Sequence, residues 1–100
     1  MVNQHESPFY KEDAYAMQRA HKRIDESFPL ARVYQAHIPT YPSGHWLFGF
    51  ASKKLHPVKG VDFERWQSLG LKTRYYNTNL HKASFALPTY VEELVRDAEK

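Results

Sequence analysis

The stretch RVYQAHIPTYPSGHWLFGFAS, residues 32–52, decides how the rest of the chain is read. From residue 32 to 38 the side chains alternate, with Tyr34, Ala36 and Ile38 on one face and Val33, Gln35 and His37 on the other. The alternation returns from residue 46 to 52, where Trp46, Phe48 and Phe50 oppose Leu47, Gly49 and Ala51. Period-two patterning on both sides of a Pro- and Gly-bearing break predicts two β-strands in an antiparallel hairpin. The connection, Ile38-Pro39-Thr40-Tyr41-Pro42-Ser43-Gly44, is longer than a simple hairpin needs. Pro39 and Pro42 restrict the backbone on either side of Tyr41 before any ligand arrives. The residues alone allow a functional loop or an ordinary rigid hairpin with an exposed tyrosine.

Outward from the hairpin, the elements predict an α/β arrangement. Met1 and Val2 read as the end of a strand, followed by a polar stretch over residues 3–7. Ser7 is a candidate N-cap with Pro8 at the first helical position, and Glu12 and Asp13 suit the start of a helix dipole. Tyr10, Ala14, Met17, His21, Ile24 and Phe28 recur at spacings of three and four, which predicts one helix face ending near Pro29. His21 on that face is expected to be a partly buried histidine with a hydrogen-bond partner. Residues 53–62 read as surface loop, 63–69 as a short helix with Trp66 inward and Gly70 ending it, and 71–76 as a short extended piece. Asn77 caps a brief helix, and Pro88 starts a last one with a Val91, Leu94, Val95, Ala98 stripe and a Glu92/Arg96 pair.

Composition narrows the function classes. One hundred residues, 42% hydrophobic and 25% charged, make at most one globular domain. A net charge of +3 with interspersed acids gives no basic stripe, so nucleic acid is not the expected partner. There is no cysteine, no signal-like start and no long apolar run, so a cytoplasmic protein with no membrane span is expected. The six histidines are scattered without metal-ligand spacing, and no metal is expected. The glycines, at 44, 49, 60 and 70, build neither a dinucleotide fingerprint nor a phosphate loop. Gln4 and Glu6 stand at the carboxyl end of the first strand, the side of an open α/β sheet where ligands bind. Arg74, Tyr75, Tyr76, Asn77 and His81 read as a packing and capping cluster.

Gln4 with Glu6, the loop IPTYPSG with the following HWLFGFASK, and the tail LKTRYYNTNLHKASFALPTYVEEL together resemble the carboxy-terminal part of the spermidine synthases, the polyamine aminopropyltransferases. The likeness runs from Val2 to Arg96 in the same order. It implies a methyltransferase-like, Rossmann-type α/β fold whose last strands end in the antiparallel hairpin, with terminal helices. The whole of residues 1–100 is then the carboxy-terminal part of a catalytic domain whose cofactor-binding half is absent. The family moves an aminopropyl group from decarboxylated S-adenosylmethionine, its co-substrate, to putrescine. By motif, Tyr41 and Gln4 fall on residues that line the diamine pocket, with Glu6 and Trp46 as further candidates.

The family's Gly-Gly-Gly-Asp-Gly turn, its ribose-holding acid and its Asp-Ser-x-Asp-Pro segment with the catalytic aspartate lie upstream of the matching region. No catalytic residue is therefore expected in this chain, and no co-substrate bound by it alone. The resemblance implies a chain inactive unless a complementing chain restores the diamine site. The alternatives are a non-catalytic partner docking on a full-length homologue and a vestigial fragment. A half sheet leaves an open edge, so an oligomer is expected.

Overall fold

In the computed structural model, which describes residues 1–41 and 43–99, the elements follow the order β1 (Val2–Glu6), α1 (Lys11–Ser27), β2 (Leu30–His37), β3 (His45–Ser52), α2 (Phe63–Ser68), α3 (Thr78–Ala83) and α4 (Thr89–Ala98). The hairpin of β2 and β3 keeps one unbroken register from Leu30 opposite Ser52 to His37 opposite His45. The strand order is β1-β3-β2, and β3 runs antiparallel to both neighbours. β1 and β2 are therefore parallel, joined through α1, with β3 inserted between them.

The alternation read from the sequence separates two faces. Ala31, Val33, Leu47 and Ala51 are buried on one face. There Val33 and Leu47 meet Met17 of α1 and Val91 of α4, with Leu87, Leu94 and Val95 packed around them. On the other face Tyr34 stacks on Phe48, ring centroids 5.3 Å apart at 18°, and Phe85 lies 5.3 Å from Tyr34. Hydrophobic burial on one face, with aromatic pairs across the strands on the other, is what fixes the register.

Four expectations change. First, β1 runs through the polar stretch to Glu6 instead of ending at Val2. Asn3 pairs with Gly49, and a Cβ on that glycine would collide with Asn3 Oδ1 and His5 Nε2. The missing side chain is the room in which two polar residues lie against the sheet. Second, α1 starts at Lys11 with Tyr10 at the N-cap, and no side-chain cap bond forms. The Ser7 hydroxyl is used elsewhere, accepting from Phe9 N (3.1 Å) and bonding Ser43 Oγ (2.8 Å). Tyr10 is 45% exposed and leaves the buried helix face to Ala14, Met17 and His21. Third, no ion pair joins Glu92 to Arg96 among the described residues. Fourth, residues 71–76 form no strand.

The remaining short elements follow their caps. Asp62 accepts from Arg65 N at the start of α2, Asn77 accepts from Leu80 N at the start of α3, and Gly70 takes a φ of +61° just after α2. His81, bonded to Tyr76 Oη (2.8 Å) and the Pro57 carbonyl (2.7 Å), ties the tail to the loop after β3. The tail covers the outer edge of β2, where Gln35 N donates to Ser84 O (3.0 Å) and His37 N to Tyr75 Oη (3.1 Å). β1 has no such cover: it pairs with β3 alone among the described residues.

Candidate functional site

The loop after β2 holds its shape through its own backbone. Tyr41 N donates to Ile38 O, Gly44 N to Tyr41 O, and Ile38 N to Gly44 O, at 2.9–3.0 Å, which closes two successive turns. Gly44, at a φ of +69°, completes the second. The stiffening expected from Pro42 lies outside the described residues. Tyr41 is 40% exposed and sets its ring edge-on against Trp46, centroids 4.7 Å apart. Trp46 is 8% exposed, with its Nε1 buried and unbonded among the described residues. The indole is thus a fixed backing for the phenol, and the phenol is the part that solvent reaches.

β1 forms the adjoining wall. Gln4 pairs with Phe48, two residues from Trp46 on the same face of β3. Beyond it the register shifts, and Glu6, at a φ of +67°, comes opposite Leu47. A bulge of this kind re-aims the side chains at a strand end. The side chains of Gln4 and Glu6 are exposed and hydrogen-bonded to no described residue. Of the four expected residues, the structure puts Tyr41 and Trp46 in direct contact. It sets Gln4 on the same sheet face and leaves Glu6 at the bulge beside Ser7, whose hydroxyl reaches the loop.

Together these groups offer an aromatic face, a phenol hydroxyl, an amide and a carboxylate around one corner of the sheet. Such a set suits a small cationic or amine-bearing molecule, which would find ring electrons, acceptors and negative charge there. The corner is an open wall. Two cavities of about 490 Å³ among the described residues lie elsewhere, one among Arg32, His56, Glu92 and Arg96, the other among Tyr34, Phe50, Tyr75 and Phe85.

Sequence reasoning passed over several residues that shape this corner. Ser7, read as a helix cap, is fully buried and bonded to Ser43. His45, seen as flanking the loop, bonds Gln35 Oε1 through Nε2 (2.6 Å) and Tyr90 Oη through Nδ1 (3.3 Å), which anchors the loop end of the hairpin to α4. Burial, and then His37 opposite it, hold the His45 pKa below the usual histidine value. The available signal was His37 and His45 bracketing a loop with Ser43 inside; nothing local pointed to Tyr90. His21 has the expected hydrogen-bond partner, Glu99 Oε1 at 2.8 Å, but is fully buried and not partly so. No group of three or more histidine, cysteine or carboxylate side chains able to hold a metal is present among the described residues.

The model of the spermine/spermidine synthase domain matches residues 1–64, which include every residue of this corner except Tyr90. Among curated relatives, the chain is 66% identical over its full length to a polyamine aminopropyltransferase of Clostridium perfringens (strain 13 / Type A), and spans 35% of that protein. It is 63% identical, also over 100 residues, to one of Alkaliphilus oremlandii, again spanning 35%. Among solved structures, the spermidine synthase of Thermotoga maritima superposes with a TM-score of 0.86 at 39% identity, covering 95% of this chain and 33% of that one. A spermidine synthase in complex with the transition state analogue AdoDATO matches with the same score and identity. The chain therefore spans about a third of the length of the relatives it matches, and its α/β fold is that of the matching third of spermidine synthase.

Proposed function

This chain belongs to the spermine/spermidine synthase family, and from that membership we propose that it supplies the amine side of an aminopropyl-transfer site in spermidine formation. In that reaction the nitrogen of a neutral amine attacks the carbon beside the sulfonium of decarboxylated S-adenosylmethionine. The N–C bond forms, the C–S bond breaks with its electron pair going to sulfur, and the attacking nitrogen gives up a proton. The products are spermidine and methylthioadenosine when the amine is putrescine. An enzyme must hold nitrogen, carbon and sulfur in line and favour the unprotonated amine.

The residues of this chain meet the amine half of that requirement. Tyr41 offers its hydroxyl and ring face to the diamine, with Trp46 fixing the ring from behind. Gln4 offers an amide oxygen and Glu6 a carboxylate, both with free acceptor capacity. The observation that carries the reading is the Tyr41–Trp46 contact next to the unbonded polar ends of β1. The co-substrate half is another matter: the four glycines, at 44, 49, 60 and 70, make no clustered Gly-rich turn, and these residues include no Asp-Ser-x-Asp-Pro segment. These 100 residues by themselves are inactive on this account and need the parts that carry those motifs. The reading places it in the cytoplasm; no helix among the described residues is long and apolar enough to cross a membrane.

Assay of spermidine by mass spectrometry tests the proposal. The purified chain should form none from putrescine and decarboxylated S-adenosylmethionine. Mixed with a polypeptide corresponding to the remaining two thirds of the Clostridium perfringens relative, it should form spermidine. Turnover by the chain alone would sink the division of labour. The edge of β1, open among the described residues, favours a second reading, docking onto a complete synthase without catalysis. Affinity capture of a complete synthase, with no turnover restored by the complementary piece, would select it.

A further inference from the structure

The two segments that bear the candidate residues, the end of β1 and the loop at Tyr41, are linked by one side-chain bond, from Ser7 Oγ to Ser43 Oγ at 2.8 Å across 36 positions of sequence. Ser7 is fully buried, whereas Ser43 is on the exposed loop. The surrounding groups leave neither hydroxyl idle. Phe9 N donates to Ser7 Oγ (3.1 Å), and Ser43 Oγ lies 3.3 Å from both His45 N and His45 O. One arrangement satisfies every partner: Ser7 donates to Ser43, Ser43 donates to the His45 carbonyl, and Ser43 accepts from the His45 amide. A chain of hydroxyls of this kind polarises its members and holds their geometry.

Backbone strain collects at the same place. Among the described residues, Glu6 and Ser43 are the non-glycine residues with positive φ, at +67° and +66°. One supplies a hydroxyl of the bond, and the other directly precedes the residue that supplies the second. Left-handed backbone at such residues persists only where the surroundings hold it, and it concentrates at functional sites. The sequence neighbours are the candidate residues themselves: Glu6 beside Ser7, and Tyr41 two positions before Ser43.

We propose that Ser7 and Ser43 are a positioning pair that docks the Tyr41 loop against the Glu6 corner of β1 and so sets the width of the amine site. Neither serine need touch the amine; each acts through Tyr41 and Glu6. The inference rests on the reading of this corner as the amine wall, and the experiment separates the two.

The chain is prepared with Trp66→Phe so that Trp46 is the only indole, and Ser7→Ala, Ser43→Ala, Ser43→Gly and the double alanine variant are made in that background. Trp46 emission and hydrogen exchange at the Tyr41 and Gly44 amides are recorded for the chain without the amine, and exchange is recorded again in the presence of the complementary polypeptide with and without putrescine. Without the amine, each single substitution is expected to shift Trp46 emission and to speed exchange at both amides at least tenfold. The double variant should be no worse than either single one. Ser43→Gly should behave as Ser43→Ala, since it relieves the strain but still lacks the hydroxyl. Unchanged emission and exchange, additive effects, or a wild-type-like Ser43→Gly would overturn the pair. With the polypeptide corresponding to the remaining two thirds of the Clostridium perfringens relative added to complete the site, putrescine is expected to slow exchange at Tyr41 in the parent chain and much less in the variants. Equal protection in all of them overturns the pair while leaving the amine wall standing. No protection in the parent, with the loop responses intact, leaves the pair holding the loop and overturns the amine wall.

Discussion

His5 shows how one buried side chain couples this fold to pH. It is 2% exposed, its ring lies 6.3 Å from that of His21, and Asn3 Nδ2 sits 3.4 Å from its Nδ1. An amide that donates to a ring nitrogen requires that nitrogen to be unprotonated. Burial first, and then repulsion from His21, lower the His5 pKa from 6.5 to about 4. The unfolded chain takes up this proton near 6.5, while the folded chain resists until about 4. Stability from this group is thus fully present above pH 6.5 and lost as the pH falls toward 4. Urea midpoints at pH 7.5, 6 and 5 should therefore decline, and His5→Gln should flatten the decline. A parallel decline in the variant would assign it to other groups. None of this was visible in the sequence, where His5 stood in a stretch read as polar and solvated; its burial depends on Gly49, which is 44 residues away but adjacent across the sheet.

At the scale of elements, Gly49 is where β1, β3 and α1 are fitted together. Its absent side chain makes room for Asn3 and His5, and His5 is enclosed under α1. Gly49→Ala forces those two side chains out of a filled space, and overpacking of this kind costs about 1–3 kcal/mol. Denaturant unfolding should show that loss, whereas Gly70→Ala, with open space around its Cβ position, should lose only what its positive φ imposes. Both strands of the hairpin were legible because alternation over seven residues survives without knowledge of the partner. The last helix was legible for the same reason at a period near 3.6. The start of α1 was not: a serine before a proline looks like a cap, and only the fold brings Ser43 within reach of its hydroxyl. β1 was read too short because polar residues in a strand are expected to face water, and half of these face a glycine.

Among the described residues the sheet has one covered edge and one open one. The tail shields β2 through Gln35 and His37, while β1 pairs only with β3 among the described residues. Met1 and Val2 beside that edge are 57% and 55% exposed, and Phe9 is 68% exposed. Unpaired strand backbone next to exposed apolar side chains promotes association. Sedimentation velocity is expected to show self-association that rises with concentration; a compact monomer at every concentration would contradict this. The candidate site was legible in the sequence in its parts, as Tyr41, Trp46, Gln4 and Glu6, but not as an assembly, since the hydroxyl link between its halves spans 36 positions.

Whether these residues form the amine wall of an aminopropyl-transfer site is decided by the steady-state kinetics of a chimera. The chimera carries these 100 residues in place of the matching third of the Clostridium perfringens relative. It should form spermidine, and Tyr41→Ala should raise the KM for putrescine by roughly tenfold or more, the loss expected for a bond to a charged group. The KM for decarboxylated S-adenosylmethionine should stay within about twofold, as expected where the altered residue binds only the amine. An unchanged putrescine KM with a raised KM for decarboxylated S-adenosylmethionine would contradict the account.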